Sequence, residues 1–482
     1  MPYKEGKPAA QTALLFFHFR HFCVSAVNMG QGGHIVLVNA TPYAWHLASH
    51  LLESMEWEFP RDASVVESYT SKRVYVESRA SASRAAATYR LDGRHETFTI
   101  QARSISLQVS MDNFGTMNAA QGSVVQLGLI SNRPSYFVLS GEGGDYHSVG
   151  NARDWMSQNL STLGSRKLRD ICVPSSHDSG MSRVPWSTAF AAVGSVATQY
   201  VSVEEQLKFG VRYFDIRPVQ HRGQWACGHY SFINAPSKWH FFPPFDTWQG
   251  GDGESLQDII DGINRYTLES HELIVLNISE ARVIKDVSGN FRRDDFVDLD
   301  AAHWNLLLDK MTNSETGIQC LWKPETGPPP AQDLTNLTLH NLIGCGSSAV
   351  LVLVHNGVDV SGRPGVFHYS NWPFDASAWD KPEAERMKEF QQHMLTENPR
   401  SFTFSGCHTQ SDTEAVLTTL GQSSSFVLSL ATPSKDRLFT ELFDWCTREG
   451  KYPSSLVLDG IDSSDLAALC MAFNDAHKAR FR

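Results

Sequence analysis

Two kinds of hydrophobic pattern follow one another along this chain. In the first, short runs alternate apolar and polar positions and are separated by turn residues. The runs lie at residues 34–38, 73–77, 87–91, 97–100, 106–109, 124–129 and 135–139. Period-two alternation is typical of strands with one buried and one exposed face. It predicts an all-β sandwich of antiparallel strands over residues 33–145, with the glycine-rich segment 141–145 as a linker.

From residue 150 onward the pattern changes to continuous apolar runs that alternate with helical stretches. The runs lie at residues 171–173, 211–216, 273–278, 349–354, 425–430 and 456–459. Helices are predicted at 203–207 and 255–266, with Ser255 as the N-cap of the second. Strands alternating with helices indicate a parallel sheet. We therefore predict an α/β unit over residues 150–482, a distorted (β/α)8 TIM-type barrel, with an open sheet as the alternative.

Composition narrows the function classes. The 482 residues leave room for two domains or more. Lys and Arg total 41 against 52 Asp and Glu, a net charge of −11, which is the opposite of what a nucleic-acid binder needs. The eight cysteines form no C-x-x-C pair and no zinc-type cluster. They are predicted to be buried thiols, with disulfides as the alternative if the protein is secreted.

The N-terminal residues and one aromatic segment bear on membranes. Residues 1–32 are predicted to be a flexible leader, because His18 and Arg20 interrupt an apolar run; a signal peptide is the alternative. No stretch approaches the roughly 20 apolar residues of a membrane span. We expect a soluble protein, cytoplasmic or secreted, with peripheral membrane contact as an open alternative. Segment 239–248 is rich in aromatic residues, which predicts either membrane contact or packing on the β domain.

Charged and histidine residues follow successive strands of the predicted barrel. His177 and Asp178 come directly after the first strand, and Asp215 and Arg217 lie two apart at the end of the next. His229 follows on the succeeding loop or strand. Because the carboxyl ends of barrel strands gather catalytic groups, these residues are expected to meet. Two histidines and an arginine suit phosphodiester cleavage, with one imidazole as base, one as acid and the guanidinium on the phosphoryl oxygens. A structural Asp–Arg salt bridge is the alternative.

Three motifs in this order resemble the X region of phosphatidylinositol-specific phospholipase C, in particular its bacterial-type and fungal relatives. They are VPSSHDSG at 173–180, GVRYFDIR at 210–217 and GH at 228–229. The resemblance covers roughly residues 150–475. It implies intramolecular attack of an inositol hydroxyl on phosphorus, release of diacylglycerol, and a cyclic inositol phosphate.

The resemblance also implies roles for individual residues. His177 resembles the general base, His229 the general acid and Arg217 the phosphate-binding arginine. Asp178 and Asp215 resemble the supporting carboxylates. Asp459, after the last strand, resembles the aspartate that orients the base, with Asp462 as a neighbouring candidate.

No cofactor and no metal are expected. Eukaryotic relatives hold calcium with carboxylates, but here Arg217 stands among the corresponding residues, where it would repel the ion. Calcium is the disfavoured alternative, and Glu280 is the residue that would revive it. The inositol clamp of bacterial relatives is not reproduced. Its place is taken by candidate substrate-binding residues, Arg282, His355, Tyr369 and Trp372, or else the aromatic ones are packing residues.

The predicted function is therefore that of a calcium-independent, phospholipase C-like phosphodiesterase acting on a phosphoinositide or a related lipid. One alternative is a metal-dependent glycerophosphodiester phosphodiesterase on the same kind of barrel. The other is a catalytically inactive protein that binds a lipid or a glycan.

Overall fold

A computed structural model describes most of the chain. The described residues are 31–78, 83–103, 106–128, 133–188, 191–234, 246–285, 293–324, 333–375, 384–397, 402–407 and 426–480. The predicted leader therefore lies outside them, apart from its last two residues, and so does most of the aromatic segment 239–248. Trp248 of that segment is described and packs against Phe232 and Phe296.

Two β-sheets make up the N-terminal part. Their strands are β1 Gln31–Ala40, β2 Trp45–Glu53, β3 Met55–Trp57, β4 Val65–Val66, β5 Thr70–Ser78, β6 Arg84–Leu91, β7 Thr97–Arg103, β8 Ser106–Met111, β9 Val124–Gln126, β10 Ser135–Glu142 and β11 Asp145–Ser148. One sheet has the order β11-β10-β1-β5-β3 and the other β4-β2-β6-β7-β8-β9. They share an aromatic core in which Phe137 of the first sheet lies 5.2 Å from Phe98 of the second. A short helix, Phe59–Asp62, joins this core.

Two details of this part differ from the prediction. β1 and β10 run parallel, so the first sheet is mixed rather than antiparallel. The glycine-rich segment is a hairpin turn rather than a linker, because Glu142 pairs with Asp145 and the chain returns as β11. Glycine and aspartate serve hairpin turns and linkers equally well, and only the strand partner separates the two.

The C-terminal part is an α/β unit around an eight-stranded parallel sheet of order β22-β21-β18-β14-β12-β25-β24-β23. These strands are β12 Val173–Ser176, β14 Tyr213–Ile216, β18 Leu273–Ile278, β21 Ala349–Val354, β22 Val366–His368, β23 Phe374–Asp375, β24 Phe402–Cys407 and β25 Ser455–Leu458. The described helices of this part are Trp155–Gln158, Leu160–Leu163, Val193–Val196, Val203–Lys208, Leu256–Thr267, Ala301–Thr312, Leu339–Ile343, Ala384–Glu397, Phe426–Arg437, Phe443–Glu449 and Asp465–Arg480.

The predicted strand at residues 425–430 is wrong. Phe426–Arg437 is a helix, and the strand that joins β25 is β24, Phe402–Cys407. A short apolar run fits a buried helix as well as a buried strand, and periodicity alone does not separate them. Elsewhere the predicted helix after Ser255 is observed as Leu256–Thr267, with the Ser255 hydroxyl accepting from the Asp258 amide.

The parallel sheet is buried on both faces, as its continuous apolar strands require. In β14, Phe214 and Ile216 pack on one face with the helix residue Ile260. Tyr213 packs on the other face, together with Val275 and Leu351 of the next two strands. Side chains alternate along a strand, so Asp215 points to the same face as Tyr213. That face ends in polar residues at the carboxyl ends of the strands.

A second, six-stranded sheet extends from the end of β14, in the order β13-β17-β16-β15-β19-β20. Its strands are β13 Trp186–Ser187, β15 Pro218–His221, β16 Gln224–Asn234, β17 Asp246–Ser255, β19 Arg282–Ile284 and β20 Phe296–Asp298. β15 begins directly after Arg217, and β16 carries His229. This six-stranded sheet thus brings His229 back toward the strand ends that hold the other candidate residues.

The two parts of the chain pack on one another. The rings of Tyr136 in β10 and Phe439 lie 4.1 Å apart. The amide of Ser71 donates to Asp444 at 2.8 Å, and His147 lies 2.9 Å from Asp475 on the C-terminal helix. Cys172, Cys227, Cys446 and Cys470 are buried free thiols, and Cys320 and Cys345 are free thiols that are not buried. No helix within the described ranges is long and apolar enough to cross a membrane.

A buried ion pair fastens the amino-terminal end of the parallel sheet, and it yields a stability prediction. Arg212 donates to Glu272 at 2.9 and 2.7 Å, and both side chains are almost wholly buried. Removing one partner leaves the other charge buried without compensation, which costs about 3–5 kcal/mol. We expect Glu272→Ala to lower the free energy of unfolding by that amount in urea denaturation. The exposed pair of Arg84 with Glu53 is the control.

Glu53→Ala is expected to leave the free energy of unfolding almost unchanged, because solvent screens an exposed pair. Equal losses in the free energy of unfolding for the two variants would show that the buried pair stabilises the fold no more than the exposed pair does.

Candidate active site

The base candidate His177 is held between an aspartate and an arginine. It follows β12 at the carboxyl end of the sheet and is 1% exposed. Its Nδ1 lies 2.9 Å from Oδ1 of Asp459, which follows β25, the strand beside β12. Its Nε2 lies 2.7 Å from Nη2 of Arg217. Arginine only donates, so Nε2 can accept this hydrogen bond only when the ring is neutral with its proton on Nδ1, which is the state a base needs.

Of the two aspartates considered after the last strand, the structure places Asp459 on His177. Asp462 instead lies 2.9 Å from Arg133 and 3.6 Å from Lys435, away from the histidine. Burial lowers the pKa of His177, but the carboxylates of Asp178 and Asp459 outweigh it and bring the pKa to about 9. His177 is thus a strong base.

Asp178 faces the same site as its neighbour His177. Consecutive residues of a strand point to opposite faces, but Asp178 has a left-handed backbone with φ of 42°. Its carboxylate is 1% exposed and accepts no hydrogen bond from a described residue. Oδ2 lies 3.6 Å from Nε2 of His177 and 3.9 Å from Nε2 of His229. A buried carboxylate thus stands between the two histidines.

The loop after β12 needs a glycine. A Cβ at Gly180 would lie 2.2 Å from Sγ of Cys227, two residues before His229. The absence of that atom lets the loop that carries His177 pack directly against the strand that carries His229.

Arg217 contacts three of the carboxylates in the site. Nε donates to Oδ2 of Asp215 at 3.0 Å and forms an ion pair with Oδ1 of Asp178 at 2.7 Å. Nη1 lies 3.4 Å from the half-exposed Glu280. Burial opposes ionisation of Asp215, but Arg217 and His177 outweigh it and lower the pKa of that carboxyl. Asp215 is therefore a fixed negative charge that holds Arg217 at the carboxyl end of the parallel sheet.

The acid candidate His229 is oriented by a carbonyl. Its Nδ1 lies 2.8 Å from the carbonyl oxygen of Val196, so Nδ1 carries a proton and donates it. Nε2 is left facing Asp178, and a fifth of the side chain is exposed. Nε2 is therefore the ring nitrogen that is open to a substrate.

His177, Asp178 and Asp215 offer ligand atoms within 4.8 Å of one another, the spacing of a metal site. The donor set does not fit a divalent cation, because Nε of Arg217 already lies within 3.0 Å of both carboxylates. Guanidinium and cation would repel each other at this distance. Glu280, which the sequence offered as a further ligand, also faces Arg217.

The predicted substrate-binding residues divide into two groups. Tyr369 and His355 lie together at the sheet's carboxyl end, with ring centroids 6.4 Å apart, and the Tyr369 hydroxyl donates to the Ile278 carbonyl. Arg282 is engaged elsewhere, paired with Asp298 at 2.5 Å and 5.9 Å from the Trp248 ring.

Trp372 does not line the site. It is 1% exposed and packs in the core near Tyr213, so it is not available to stack on a substrate. It was a candidate because it stands where the resembled family has its inositol clamp, and the structure instead bears out the alternative that it is a packing residue.

Sequence reasoning missed several polar neighbours. The Ser279 hydroxyl donates to Asp215, Thr198 Oγ1 donates to the Asp178 carbonyl at 3.0 Å, and Gln199 contacts the His177 carbonyl at 2.7 Å. Ser279 follows β18 and could have been found by the rule that placed Asp215. Thr198 and Gln199 lie in an irregular segment without periodicity, and nothing in the sequence signals them.

The class of site is clear from this geometry: a buried acid–base cluster of two histidines, three aspartates and an arginine at the carboxyl end of a parallel sheet. No family profile matches the chain. Among curated proteins, a PI-PLC X-box domain-containing protein of Dictyostelium discoideum is 35% identical over 156 residues. The match covers 28% of this chain and 17% of that protein, so the chain spans only a small part of the relative's length.

Solved structures with similarity to this chain include two bacterial enzymes. The phosphatidylinositol-specific phospholipase C of Listeria monocytogenes is 14% identical with a TM-score of 0.39, and covers 67% of this chain and 98% of its own. The enzyme of S. aureus is 14% identical with a TM-score of 0.43 and the same coverage. The resemblance to the PI-PLC X-domain family that the sequence motifs predict is confirmed by the curated relative.

Proposed function

We propose that this chain is a phosphatidylinositol-specific phospholipase C-like phosphodiesterase that cleaves the glycerol-side phosphodiester of an inositol-bearing lipid without a metal. The observation that carries the proposal is the pair of histidines whose Nε2 atoms flank one buried carboxylate, beside Arg217. In this proposal the parallel sheet curls into a distorted barrel, and the two N-terminal sheets form an accessory β-sandwich domain.

The reaction follows from the positions of the protons. His177 Nε2 takes the proton of the inositol hydroxyl next to the phosphate, and that oxygen attacks phosphorus. The bond from phosphorus to the glycerol oxygen breaks as His229 Nε2 gives its proton to that oxygen. The products are diacylglycerol and a cyclic inositol phosphate.

In this scheme Arg217 binds either His177 or the phosphate of the substrate. At rest it donates to Nε2 of His177, the atom that must receive the substrate's proton. An incoming phosphodiester carries a negative charge and offers two non-bridging oxygens, which bind guanidinium well. Moving Arg217 onto the phosphate frees the base and stabilises the charge that grows in the transition state.

The charge on Asp459 should be visible in the pH dependence. Its carboxylate contributes to the raised pKa of His177, about 9, so the neutral base becomes more abundant as pH rises toward 9. We expect kcat/KM to rise with pH through that range. In Asp459→Asn the favourable charge is gone, the pKa of His177 falls, and the rising limb should move to lower pH. A limb at the same pH in both proteins would contradict the pairing.

The substrate is tested by measuring water-soluble phosphate released from phosphatidylinositol vesicles, with phosphatidylcholine vesicles beside them. Release from the first alone is the expected result. Release only after a divalent cation is added, and from free glycerophosphodiesters, would favour the metal-dependent alternative. Vesicle binding without release from either would favour the inactive binding protein.

A further inference from the structure

One short segment contacts His229, the backbone of His177 and the turn that carries Asp459, the three groups whose relative positions decide the proposed acid–base chemistry. It comprises residues 196–199 and follows the helix Val193–Val196. The carbonyl of Val196 orients His229, at 2.8 Å from Nδ1. Gln199, three residues on, bonds to the backbone of His177 and to the backbone beside Asp459.

Gln199 joins two loops that are far apart in sequence. Its Nε2 donates to the His177 carbonyl at 2.7 Å and to the Leu458 carbonyl at 3.2 Å. Its Oε1 accepts from the Ile461 amide at 3.1 Å. The side chain is 1% exposed. One buried amide thus fastens the backbone of His177 to the backbone on both sides of Asp459.

The preceding residue strengthens the same link. Thr198 Oγ1 donates to the Asp178 carbonyl at 3.0 Å, and the Thr198 carbonyl accepts from the Gly460 amide at 2.8 Å. Each of the two residues therefore contacts both the loop after β12 and the turn after β25. The segment therefore links β12 and β25 just beyond the end of their pairing.

We infer that residues 196–199, with Gln199 at the centre, form a positioning clamp that fixes His177, Asp459 and His229 relative to one another. Gln199 touches no reacting atom. It acts through the backbone of His177 and of Leu458 and Ile461, which flank Asp459, and the side chains of His177 and Asp459 lie 2.9 Å apart. This inference rests on the proposed function for its kinetic consequence, but not for its structural one.

Gln199→Met tests the clamp, because methionine keeps the volume and removes the amide. A displacement of about 1 Å at a catalytic group can cost about 10²-fold in rate. We expect kcat on phosphatidylinositol to fall about 10²-fold with KM unchanged, because the substrate-binding groups are not touched.

Asn474→Leu is the matched control. Asn474 is also a buried amide that bonds the same strand region, accepting from the Cys172 amide at 2.8 Å and donating to its carbonyl at 3.0 Å. It does so before the start of β12, at the opposite end from His177. We expect this variant to lose comparable stability in urea and to keep the wild-type kcat.

A second readout needs no turnover. The Nδ1 proton of His177, bonded to Asp459, is observable by proton NMR and can be assigned by its loss in His177→Ala. It should shift or broaden in Gln199→Met and stay in place in Asn474→Leu. If wild type cleaves no phosphodiester, the proposed function fails, yet this signal still decides the clamp. A variant Gln199→Met that matches the control in NMR, and in kcat where turnover exists, overturns the inference.

Discussion

Replacing His177 by alanine is expected to lower kcat for phosphodiester cleavage by about 10⁴-fold, the upper end of what a general base contributes. The side chain is the only group in the described site that is buried between a carboxylate at 2.9 Å and the arginine at 2.7 Å, with its second nitrogen toward the substrate space. Asp178 is not expected to replace it, because its carboxylate is paired with Arg217 at 2.7 Å. The measurement is single-turnover release of inositol phosphate.

The control for this variant is His147→Ala. His147 is likewise a buried histidine at 2.9 Å from an aspartate, Asp475, but it joins the N-terminal sheets to the C-terminal helix. We expect it to lower stability and leave kcat unchanged. A loss in His147→Ala as large as that in His177→Ala would attribute the effect to destabilisation of the fold.

Replacing His229 by alanine is expected to lower kcat by about 10³-fold on the lipid and far less on an ester with a good leaving group. A glycerol oxygen needs a proton to depart, whereas a nitrophenolate leaves as an anion. Nε2 of His229 faces Asp178 at 3.9 Å, and its Nδ1 is already committed to the Val196 carbonyl. Comparing wild type and variant on inositol phosphodiesters with the two leaving groups gives the result directly.

His221→Ala serves as the control for His229→Ala, since His221 lies in the same six-stranded sheet and its Nδ1 lies 2.6 Å from Asp252. Its effect should not depend on the leaving group. Equal losses of His229→Ala on both esters would remove the assignment of His229 as the acid.

Much of the fold was predictable because apolar runs are informative when they are long. The strands at 273–278 and 349–354 were predicted with the bounds that the structure has. The run at 425–430 was misassigned because its apolar residues suit a helix equally well. The parallel pairing of β1 with β10 was invisible, since alternation within a strand carries no information on the direction of its partner.

The central charges of the site could be predicted because each lies at the end of a strand or directly after it, and the ends of parallel strands meet. His177, Asp215 and Asp459 follow this rule and lie together. Trp372 was a candidate only from its place in the resembled family's inositol clamp, and its ring packs in the core. Gln199 follows no strand and bonds mainly to backbone carbonyls and an amide, which leave no trace in a sequence.

The most direct test of the central claim, metal-free cleavage by two histidines, is the phosphorus NMR spectrum of products released from phosphatidylinositol vesicles in EDTA. We expect a cyclic inositol phosphate that is made by wild type and is absent with His177→Ala. A reaction that stops in EDTA and returns with calcium would contradict it, because the Arg217 guanidinium would then have to give way to an ion.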